Sequence, residues 1–529
     1  MAQAAQKDIM DKETKAAYDS VPYESYAYPM TFPRHTGMVA SLFGIPVTPP
    51  EKARILEIGS AAGGNVFPIA LQYPSADITA IDLSAVQIAQ AQKQQEAMGV
   101  KNIRFIAMDV CNIDKSFGQF DYIICHGVFS WVPDQVRDRI LEICRDRLTD
   151  NGVAFISYNT LPGWQFVQSL RDMMRYHIER FATPREKVTQ ARALLEFLRD
   201  SAPSNREWYK NIIQEELNIV SKANDSYFFH DHLEGNNTQY YLHQFVEMAR
   251  KHNLQYLGDT NLPSMFVENM PKEAVEKLRS VNDIVRQEQY MDFIINRRFR
   301  MSLVVKDTAK IVRQIPQDKI FDFYLSTAMK PKDAKANLEN DFAFEKLDGG
   351  GLFTTHNLQS AALFTTLYEH GARPVHADAL IKEVAKKLAM TDDTPLRKIL
   401  SDYAIKLALH GYINLSTDTI SFTKEISAKP EIYPLARYQA QQPSVKIVTS
   451  LNGSALPVDA IGGRVIACAD GKNTLDDIVR IITQDIKTGK LQIQQNGKPI
   501  LNDAEIKQAL ETVIRNVLGK CADNALLVA

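Results

Sequence analysis

The sequence predicts an α/β fold in which an open, mostly parallel sheet carries helical insertions and is followed by mainly helical domains. Between residues 53 and 159, five short apolar runs alternate with three amphipathic stretches. This alternation is typical of βαβ units, whose strands pair in parallel. Two later apolar runs, at residues 254–260 and 300–307, are expected to return to the same sheet as its last two strands.

The elements of this sheet are predicted from the apolar runs and from turn residues. The five strands are expected at residues 53–60, 77–84, 102–110, 120–128 and 152–159. The helices between them are expected near residues 65–72, 85–98 and 133–148. The sequence Asp150-Asn151-Gly152 is typical of a turn and separates the third helix from the fifth strand. Much of the charged stretch at 165–300 is then a helical insertion around the sheet.

A chain of 529 residues is long enough for several domains. We expect an N-terminal lid and α/β domain at 1–164 and a helical middle region with the last strands at 165–308. A winged-helix-like domain is expected at 309–435 and a small α/β domain at 436–529. Three consecutive glycines at 349–351 mark a boundary inside the third segment.

The winged-helix prediction depends on the order of elements in that third segment. Helical stretches at 356–371, 376–389 and 395–411 precede two short apolar runs at 412–416 and 419–423, which predict a hairpin. Winged helices bind DNA or pack against other domains. Because residues 395–411 are mixed and apolar rather than basic, the packing role is favoured.

Composition indicates a well-cored cytoplasmic protein without nucleic-acid or membrane partners. The formal net charge is -2, so no basic excess suggests a nucleic-acid footprint. The five cysteines are scattered without the close spacing of a zinc or redox motif, and we expect no metal. The N-terminal residues are polar, and no run approaches the roughly 18 apolar residues that span a bilayer.

A small-residue motif where the first strand meets the next helix is the strongest functional signal. It contains an acidic residue followed by glycines and other small or polar residues, namely Glu57, Gly59, Ser60, Ala61, Gly63 and Asn65. Small residues allow a ligand to approach the backbone closely, and the helix N-terminus favours a carboxylate. A dinucleotide-binding turn would need the tighter G-x-G-x-x-G spacing.

Acidic residues also end the next two predicted strands. Asp82 ends the second strand, where a carboxylate can accept both hydroxyls of a ribose, and Asp109 ends the third. Ligands of open α/β sheets bind at the carboxyl ends of the strands, so Glu57, Asp82 and Asp109 are expected to converge on one crevice.

These motifs resemble those of class I S-adenosylmethionine-dependent methyltransferases, with Ala61 in place of a middle glycine. Longer stretches resemble one bacterial branch, in which such a domain is followed by a methyltransferase regulatory domain. The rickettsial protein lysine methyltransferases that act on outer membrane protein B belong to this branch. The resemblance covers roughly residues 15–305. The matching stretches are 18–35, 57–65, 80–89, 120–133, 156–164, 171–177, 228–237, 244–259 and 288–300.

The resemblance implies a Rossmann-like class I methyltransferase sheet that binds S-adenosylmethionine and releases S-adenosylhomocysteine. It places Asp109 opposite the adenine amine with Val110 on the ring, and His126 near the methionine part. The full set of predicted cofactor-binding residues is Tyr18, Glu57, Gly59, Ser60, Ala61, Gly63, Asn65, Asp82, Leu83, Gln87, Asp109, Val110 and His126.

The chemistry of amine methylation predicts an aromatic pocket beside the cofactor. A lysine with a pKa of ~10.4 costs roughly 4 kcal/mol to neutralise at about pH 7.5. An apolar, aromatic pocket lowers that cost by desolvation, and the charge of the cofactor adds like-charge repulsion. Tyr23, Trp131 and Tyr158 are the residues expected to form this catalytic pocket, with core or lid packing as the alternative.

Two charged clusters have simpler interpretations. His230, Asp231, His232 and Glu234 have metal-like spacing, but methyl transfer needs no metal and such groups are common near helix starts. Arg297, Arg298 and Arg300 are expected to form a solvated face rather than a site for an acidic acceptor.

The sequence therefore predicts a protein lysine N-methyltransferase. Its expected acceptor is a bacterial surface protein, such as outer membrane protein B, before export. One alternative is a small-molecule methyltransferase whose extra domains close the pocket. The other is a non-catalytic S-adenosylmethionine sensor that uses its winged helix to bind DNA or partners. A homodimer is a further expectation.

Overall fold

A computed structural model of the chain describes residues 25–222, 224–332, 342–443, 445–492, 494–495, 498–499 and 502–529. Its centre is a seven-stranded sheet in the order β3-β2-β1-β4-β5-β7-β6. The strands are β1 Arg54–Ile58, β2 Asp77–Asp82, β3 Ile103–Ala107, β4 Phe120–Cys125, β5 Leu148–Asn159, β6 Leu254–Asp259 and β7 Phe299–Lys306.

The sheet confirms the predicted α/β fold. Strands β1 to β5 pair with one another in parallel, whereas β7 is antiparallel to both β5 and β6. The two late strands join the same sheet, as expected. Strand β5 begins earlier than predicted because Leu148 pairs with Phe120 before a register shift, so that the Asp150-Asn151-Gly152 turn lies inside it.

The two faces of the sheet bury alternate residues. Ile55 and Phe155 belong to one hydrophobic core, and Leu56 and Ile156 belong to the other. This alternation follows from the period of two along a strand. The helices up to the end of the sheet are α1 Pro33–Leu42, α2 Val66–Gln72, α3 Ala85–Met98, α4 Asp134–Arg147, α5 Gly163–Ile178, α6 Pro184–Ser201, α7 Glu207–Val220, α8 Asp225–Phe228, α9 Leu242–Lys251, α10 Lys272–Arg279 and α11 Ile284–Ile295.

The helical insertion forms a module with its own core. Helices α5, α6, α7 and α8 bury Leu170, Leu195, Ile213 and Phe228 against one another. Helix α6 begins with a capping box, in which Thr183 accepts from the Glu186 amide and Glu186 accepts from the Thr183 amide. The module therefore folds beside the carboxyl edge of the sheet as a unit.

The C-terminal third combines seven helices with short strands among the described residues. The helices are α12 Leu358–His370, α13 Ala377–Lys387, α14 Thr394–Leu409, α15 Pro434–Ala440, α16 Ala460–Cys468, α17 Leu475–Lys487 and α18 Asp503–Asp523. The strands are β8 Tyr324–Thr327, β9 Met329–Pro331, β10 Phe342–Lys346, β11 Leu352–Thr355, β12 Val375–His376, β13 Ile413–Ser416, β14 Ile447–Thr449, β15 Ala455–Pro457, β16 Gln494–Gln495 and β17 Lys498–Pro499. None of the helices in the described ranges is both long and apolar enough to cross a bilayer.

The predicted hairpin at 412–423 is wrong in its second half. Strand β13 pairs with β8, so that Leu415 lies opposite Leu325 and both are buried. Residues 419–423 form no strand, because their backbone groups bond elsewhere: the Thr423 amide donates to the Leu527 carbonyl, and Arg373 donates to the Phe422 carbonyl.

The C-terminal domains are fastened to helix α1 and to the end of α2. The Arg34 guanidinium donates to the Asn452 carbonyl over 3.3 Å, and the Thr417 amide donates to the Arg34 carbonyl. The Tyr73 hydroxyl donates to Asp418 over 2.6 Å. One hydrophobic core continues from the sheet into these domains, and helix α1 packs against it.

A buried ionic cluster joins α11 to strands β6 and β7. The Arg300 guanidinium is 1 % exposed and donates to both carboxylate oxygens of Asp292 over 2.8 Å and to Glu288 over 2.9 Å. The Tyr256 hydroxyl donates to the same Glu288 oxygen over 2.8 Å. Fixed bidentate geometry of this kind offsets the cost of removing the charges from water.

The predicted solvated arginine face is therefore wrong. Arg297 donates to Asp292 over 2.6 Å, and Arg298 pairs with the buried Glu216 of α7. Arg300 points into the cluster because it lies on a strand whose inner face is covered by α11. All three side chains connect elements of the fold.

We predict that Arg300→Met destabilises the protein by about 3–5 kcal/mol, since the buried Glu288 loses its cation and Asp292 loses one of its arginine partners. Urea unfolding followed by circular dichroism measures the loss. The control is Lys251→Met, which removes an exposed pair with Glu247 and should change stability by less than about 1 kcal/mol. A loss no larger than that of the control would contradict the assignment.

Candidate functional site

The loop after β1 turns sharply enough to need left-handed backbone. Gly59 and Gly63 have φ values of +78° and +84°, and Ala61 has a φ of +47°. A side chain at Gly59 would overlap Val128. The Gly59 and Ser60 amides both donate to the Ile81 carbonyl over 2.9 Å, which ties the loop to the end of β2. The predicted small-residue loop thus lies at the carboxyl edge of the sheet.

Asp82 organises this loop from the end of β2. One carboxylate oxygen accepts from the Ala61 amide and the other from the Ser84 amide, each over 2.8 Å. Asp82 is thereby fixed in orientation beside the loop.

Asn65 connects the loop to the N-terminal segment. Its amide nitrogen donates to Glu57 over 2.7 Å and to the Thr31 hydroxyl over 2.9 Å. Its oxygen accepts from the Tyr28 amide over 2.8 Å, and the Gly64 amide donates to the Ser25 hydroxyl over 2.7 Å. The segment from residue 25 therefore lies on the loop. Tyr18, which the sequence predicts to bind the cofactor, and Tyr23, which it predicts to line the catalytic pocket, lie outside the described residues.

Glu57 is buried, and a hydrogen bond is given to one of its two carboxyl oxygens. It is 3 % exposed, and in the described part of the chain its Oε2 has no hydrogen-bond partner. Burial raises the pKa of Glu57 to about 8, the Asn65 hydrogen bond opposes that rise, and the charge of Asp82 adds to it. The Ser60 hydroxyl is likewise buried without a partner there. These two groups suit a ligand that brings its own polar donor.

The remaining predicted cofactor residues line the edge beyond β2 and β3. Asp109 is half-buried and caps a short turn by accepting from the Cys111 amide over 2.8 Å, with Val110 half-buried beside it. Leu83 is an exposed apolar side chain directly after Asp82. Gln87 is buried on α3, and its backbone amide donates to the Ser84 hydroxyl over 3.3 Å.

His126 follows β4 and is surrounded by aromatic rings. Its Nδ1 lies 3.0 Å from the Ser157 hydroxyl, which accepts from the Gly127 amide. Its ring lies 4.0 Å from the Tyr28 ring and 6.1 Å, edge-on, from the Phe299 ring. Burial lowers the pKa of His126 to about 4, so the imidazole is neutral at pH 7.

Tyr158 does not reach this cluster. Residues alternate between the faces of β5, and Ser157 faces His126, so Tyr158 must point to the opposite face. There it is 1 % exposed, stacks on Phe245 over 4.4 Å and hydrogen-bonds to Ser302. Its predicted role in the catalytic pocket is therefore not supported, and Tyr158 is a packing residue.

Trp131 faces the helical module instead of the sheet. It is half-buried, and the Arg171 guanidinium of α5 lies 5.6 Å from its ring. The structure instead brings Tyr28 and Phe299 to His126, and sequence analysis assigned a role to neither. Tyr28 lay within the stretch that resembles the methyltransferase branch. Phe299 also lay within such a stretch, residues 288–300, but it reaches the site only by pairing with Asn159, 140 residues earlier.

The metal-like spacing at 230–234 resolves into separate pairs. His232 lies 2.7 Å from Glu216, and His230 lies 3.4 Å from Glu234. No group of three or more potential ligands converges within the part of the chain that the structure describes. His230 and His232 therefore contact different carboxylates, although they are close in sequence.

We predict that Glu57 gives folding stability a pH dependence. Its pKa in the folded state, about 8, exceeds the ordinary value of 4.5, so the unfolded chain loses this proton first. The contribution is full below about pH 4.5 and is lost as the pH rises towards 8. Glu57→Gln keeps a neutral acceptor for Asn65, so its thermal midpoint should fall less than that of the wild type between about pH 5 and 8. Calorimetry on both proteins, with Glu247→Gln as an exposed control, measures this. Parallel profiles for wild type and Glu57→Gln would contradict it.

Three family sequence models match the chain. The model "Methyltransferase domain" matches residues 56–154, which contain most of β1, all of β2 to β4, most of β5 and the glycine loop. The model "Predicted methyltransferase regulatory domain" matches 224–306, up to the end of β7. The model "PKMT, C-terminal winged helix domain" matches 428–526, which lies after the segment for which the sequence predicts a winged helix.

Relatives match over nearly the whole length. The chain is 41 % identical to the uncharacterized protein RP789 of Rickettsia prowazekii, covering 97 % of this chain and 93 % of that protein. It is also similar to the structure of PKMT2 from Rickettsia typhi in complex with AdoHcy. The TM-score there is 0.87 at 33 % identity, with 96 % of this chain and 100 % of that chain covered. A second PKMT2 structure gives a TM-score of 0.86 at 32 % identity.

The site and the comparisons agree on the cofactor. The oriented Asp82 carboxylate, the glycine loop and two buried polar groups without partners in the described residues fit S-adenosylmethionine, whose demethylated product is AdoHcy. The chain belongs to the family of class I S-adenosylmethionine-dependent methyltransferases that carry a methyltransferase regulatory domain and a PKMT C-terminal winged-helix domain.

Proposed function

We propose that the protein is a protein lysine N-methyltransferase. The observation that carries this proposal is the likeness to PKMT2 over 96 % of the chain, including the winged-helix domain that bears the PKMT name. A relative that shared only the methyltransferase sheet would leave the acceptor open, since unrelated functions use the same fold.

S-adenosylmethionine supplies an electrophilic methyl group on a positively charged sulfur. We assign its ribose hydroxyls to the Asp82 carboxylate and its adenine amine to Asp109. We assign its amino-acid end to Glu57 and Ser60, whose unpartnered atoms lie within the described loop region. The left-handed backbone at Gly59 keeps side chains out of the space beside them.

The aromatic rings around His126 suit the acceptor amine. A lysine reacts only in its neutral form, which a desolvated aromatic pocket favours over the ammonium. Tyr28 and Phe299 supply such walls, and a neutral His126 adds no positive charge that would compete with the cofactor. In this proposal Tyr28, His126 and Phe299 take the place of Tyr158 in the catalytic pocket. Trp131 and Tyr23 stay predicted members of the catalytic pocket, with core or lid packing as the alternative.

An apolar surface beside this pocket suits a polypeptide acceptor. On α11, Tyr290, Phe293 and Ile294 share one face by their spacing, and each is about 45 % exposed. Tyr241 packs edge-on against Phe293 at 5.7 Å. Exposed apolar surface of this kind is typical of protein interaction sites and exceeds the needs of a metabolite. We propose a bacterial surface protein, such as outer membrane protein B, methylated in the cytoplasm before export.

Methyl-labelled cofactor incubated with the protein and a cell lysate tests the acceptor class. We expect label in protein, and mass spectrometry should place it on lysine side chains. Excess S-adenosylhomocysteine should suppress the labelling, which is the control for non-enzymatic transfer. Label confined to small metabolites would support the small-molecule alternative. Saturable cofactor binding without any transfer would support the non-catalytic sensor.

We predict that Asp82→Ala weakens S-adenosylhomocysteine binding at least about tenfold, because hydrogen bonds to a charged acceptor are lost. Calorimetry measures the affinity, and circular dichroism confirms the fold. Asp77→Ala is the matched control, since Asp77 begins the same strand and forms only an exposed pair with Arg54. Equal affinities of wild type and Asp82→Ala would show that the ribose is held by other groups.

A further inference from the structure

A half-buried carboxylate lies where the helical module meets the sheet. Asp231 belongs to a single π-helical turn, Phe229–Leu233, directly after α8. The Tyr227 hydroxyl donates a hydrogen bond to it, and Tyr227 is 37 % exposed. Such π-helical turns occur frequently at functional sites. The pair is therefore oriented and reachable from solvent.

Contacts connect this pair to the aromatic pocket. Asn224, which caps α8 by accepting from the Tyr227 amide over 2.7 Å, donates to the Tyr26 hydroxyl over 3.3 Å. Tyr28 follows Tyr26 in the same segment and lies within electrostatic reach of the Tyr227 hydroxyl. The Tyr28 ring in turn lies 4.0 Å from the His126 ring, so these contacts link the pair to the aromatic pocket.

The cations around Asp231 are engaged with other groups. Arg171 donates to the His232 carbonyl over 3.2 Å and to the Glu234 carbonyl over 2.6 Å, so it holds the π-helical turn. Glu216 pairs with both His232 and Arg298. Asp231 itself takes part in no ion pair within the described ranges. Burial raises the pKa of Asp231, and the charges of His232, His230 and Arg171 oppose that rise. None of these three groups forms an ion pair with Asp231 within the described ranges, so its carboxylate can still take a direct cationic partner.

We propose that Asp231, oriented by Tyr227, binds the ammonium group of the acceptor lysine at the entrance to the pocket formed by Tyr28, His126 and Phe299. This inference rests on the proposed function and names the part of the site that selects lysine. The ammonium loses one proton to solvent at this half-buried position. The neutral nitrogen then forms a bond to the methyl carbon as the carbon–sulfur bond breaks, which gives methyl-lysine and S-adenosylhomocysteine.

Binding of a peptide pair to the S-adenosylhomocysteine-loaded protein tests this site. The probes are acetyl-Gly-Gly-Lys-Gly-Gly-amide and the same peptide with norleucine, which replaces the ammonium by a methyl group. Wild type should prefer the lysine peptide at least about tenfold, through a charge-assisted hydrogen bond. In Asp231→Asn the preference should fall to about twofold or less. Tyr227→Phe should lie between, because it removes only the hydroxyl that orients the carboxylate.

Asp225→Asn is the matched control. Asp225 begins α8 and forms an exposed pair with Arg192. Its substitution removes the same charge as Asp231→Asn, and this variant should keep the preference for lysine. Equal affinity of wild type for both peptides would overturn the site, as would an unchanged preference in Asp231→Asn. Loss of S-adenosylhomocysteine affinity in Asp231→Asn would also overturn it, since Asp231 would then act through the fold.

The lysate experiment separates this inference from the function on which it rests. Methyl-lysine in the lysate together with equal peptide affinities would overturn the Asp231 site and leave the lysine methyltransferase in place. The absence of methyl-lysine would overturn the proposed function itself.

Discussion

The Asn65 side chain holds three parts of the site in one arrangement. It donates to the buried Glu57 on β1 and to Thr31, and it accepts from the Tyr28 amide. Because Tyr28 in turn covers His126, the position of the acceptor pocket depends on the same amide that borders the cofactor loop. A buried amide with its hydrogen bonds satisfied fixes geometry strongly, since any rearrangement would leave a polar group unpaired.

The Arg300 cluster and the C-terminal domains, both distant in sequence from His126, position the two aromatic walls beside it. The Arg300 cluster fixes β7 against α11 and β6, and the antiparallel pairing of β7 with β5 then places Phe299 beside His126. From behind, the turn at Gly453 packs so closely against Phe32 that a side chain there would clash. The C-terminal domains therefore support the segment that carries Tyr28, although they lie away from the carboxyl edge of the sheet.

The fold was predictable because strands β1 to β5 alternate with helices over a short stretch of sequence, and the glycine loop and Asp82 were predictable because their roles are local. Tyr158 was misassigned, although the period of two along β5 already separates it from Ser157. Phe299 was missed because it reaches His126 only through the long-range pairing of β7 with β5, and Asp231 was considered only as part of a metal-like spacing. Arg300 was misread as solvated, because sequence spacing does not reveal which face a helix covers.

The arrangement of charge along the site favours one order of events. In the proposed site, carboxyl groups lie at the two ends, with Glu57 and Asp82 by the loop and Asp231 at the entrance. The middle, around His126, is neutral and aromatic. An ammonium is therefore stabilised at the entrance and destabilised as it moves inward, where burial and the positive sulfur both oppose it. Loss of the proton at the entrance converts the acceptor into the only form that the middle of the site tolerates, and that form is the nucleophile.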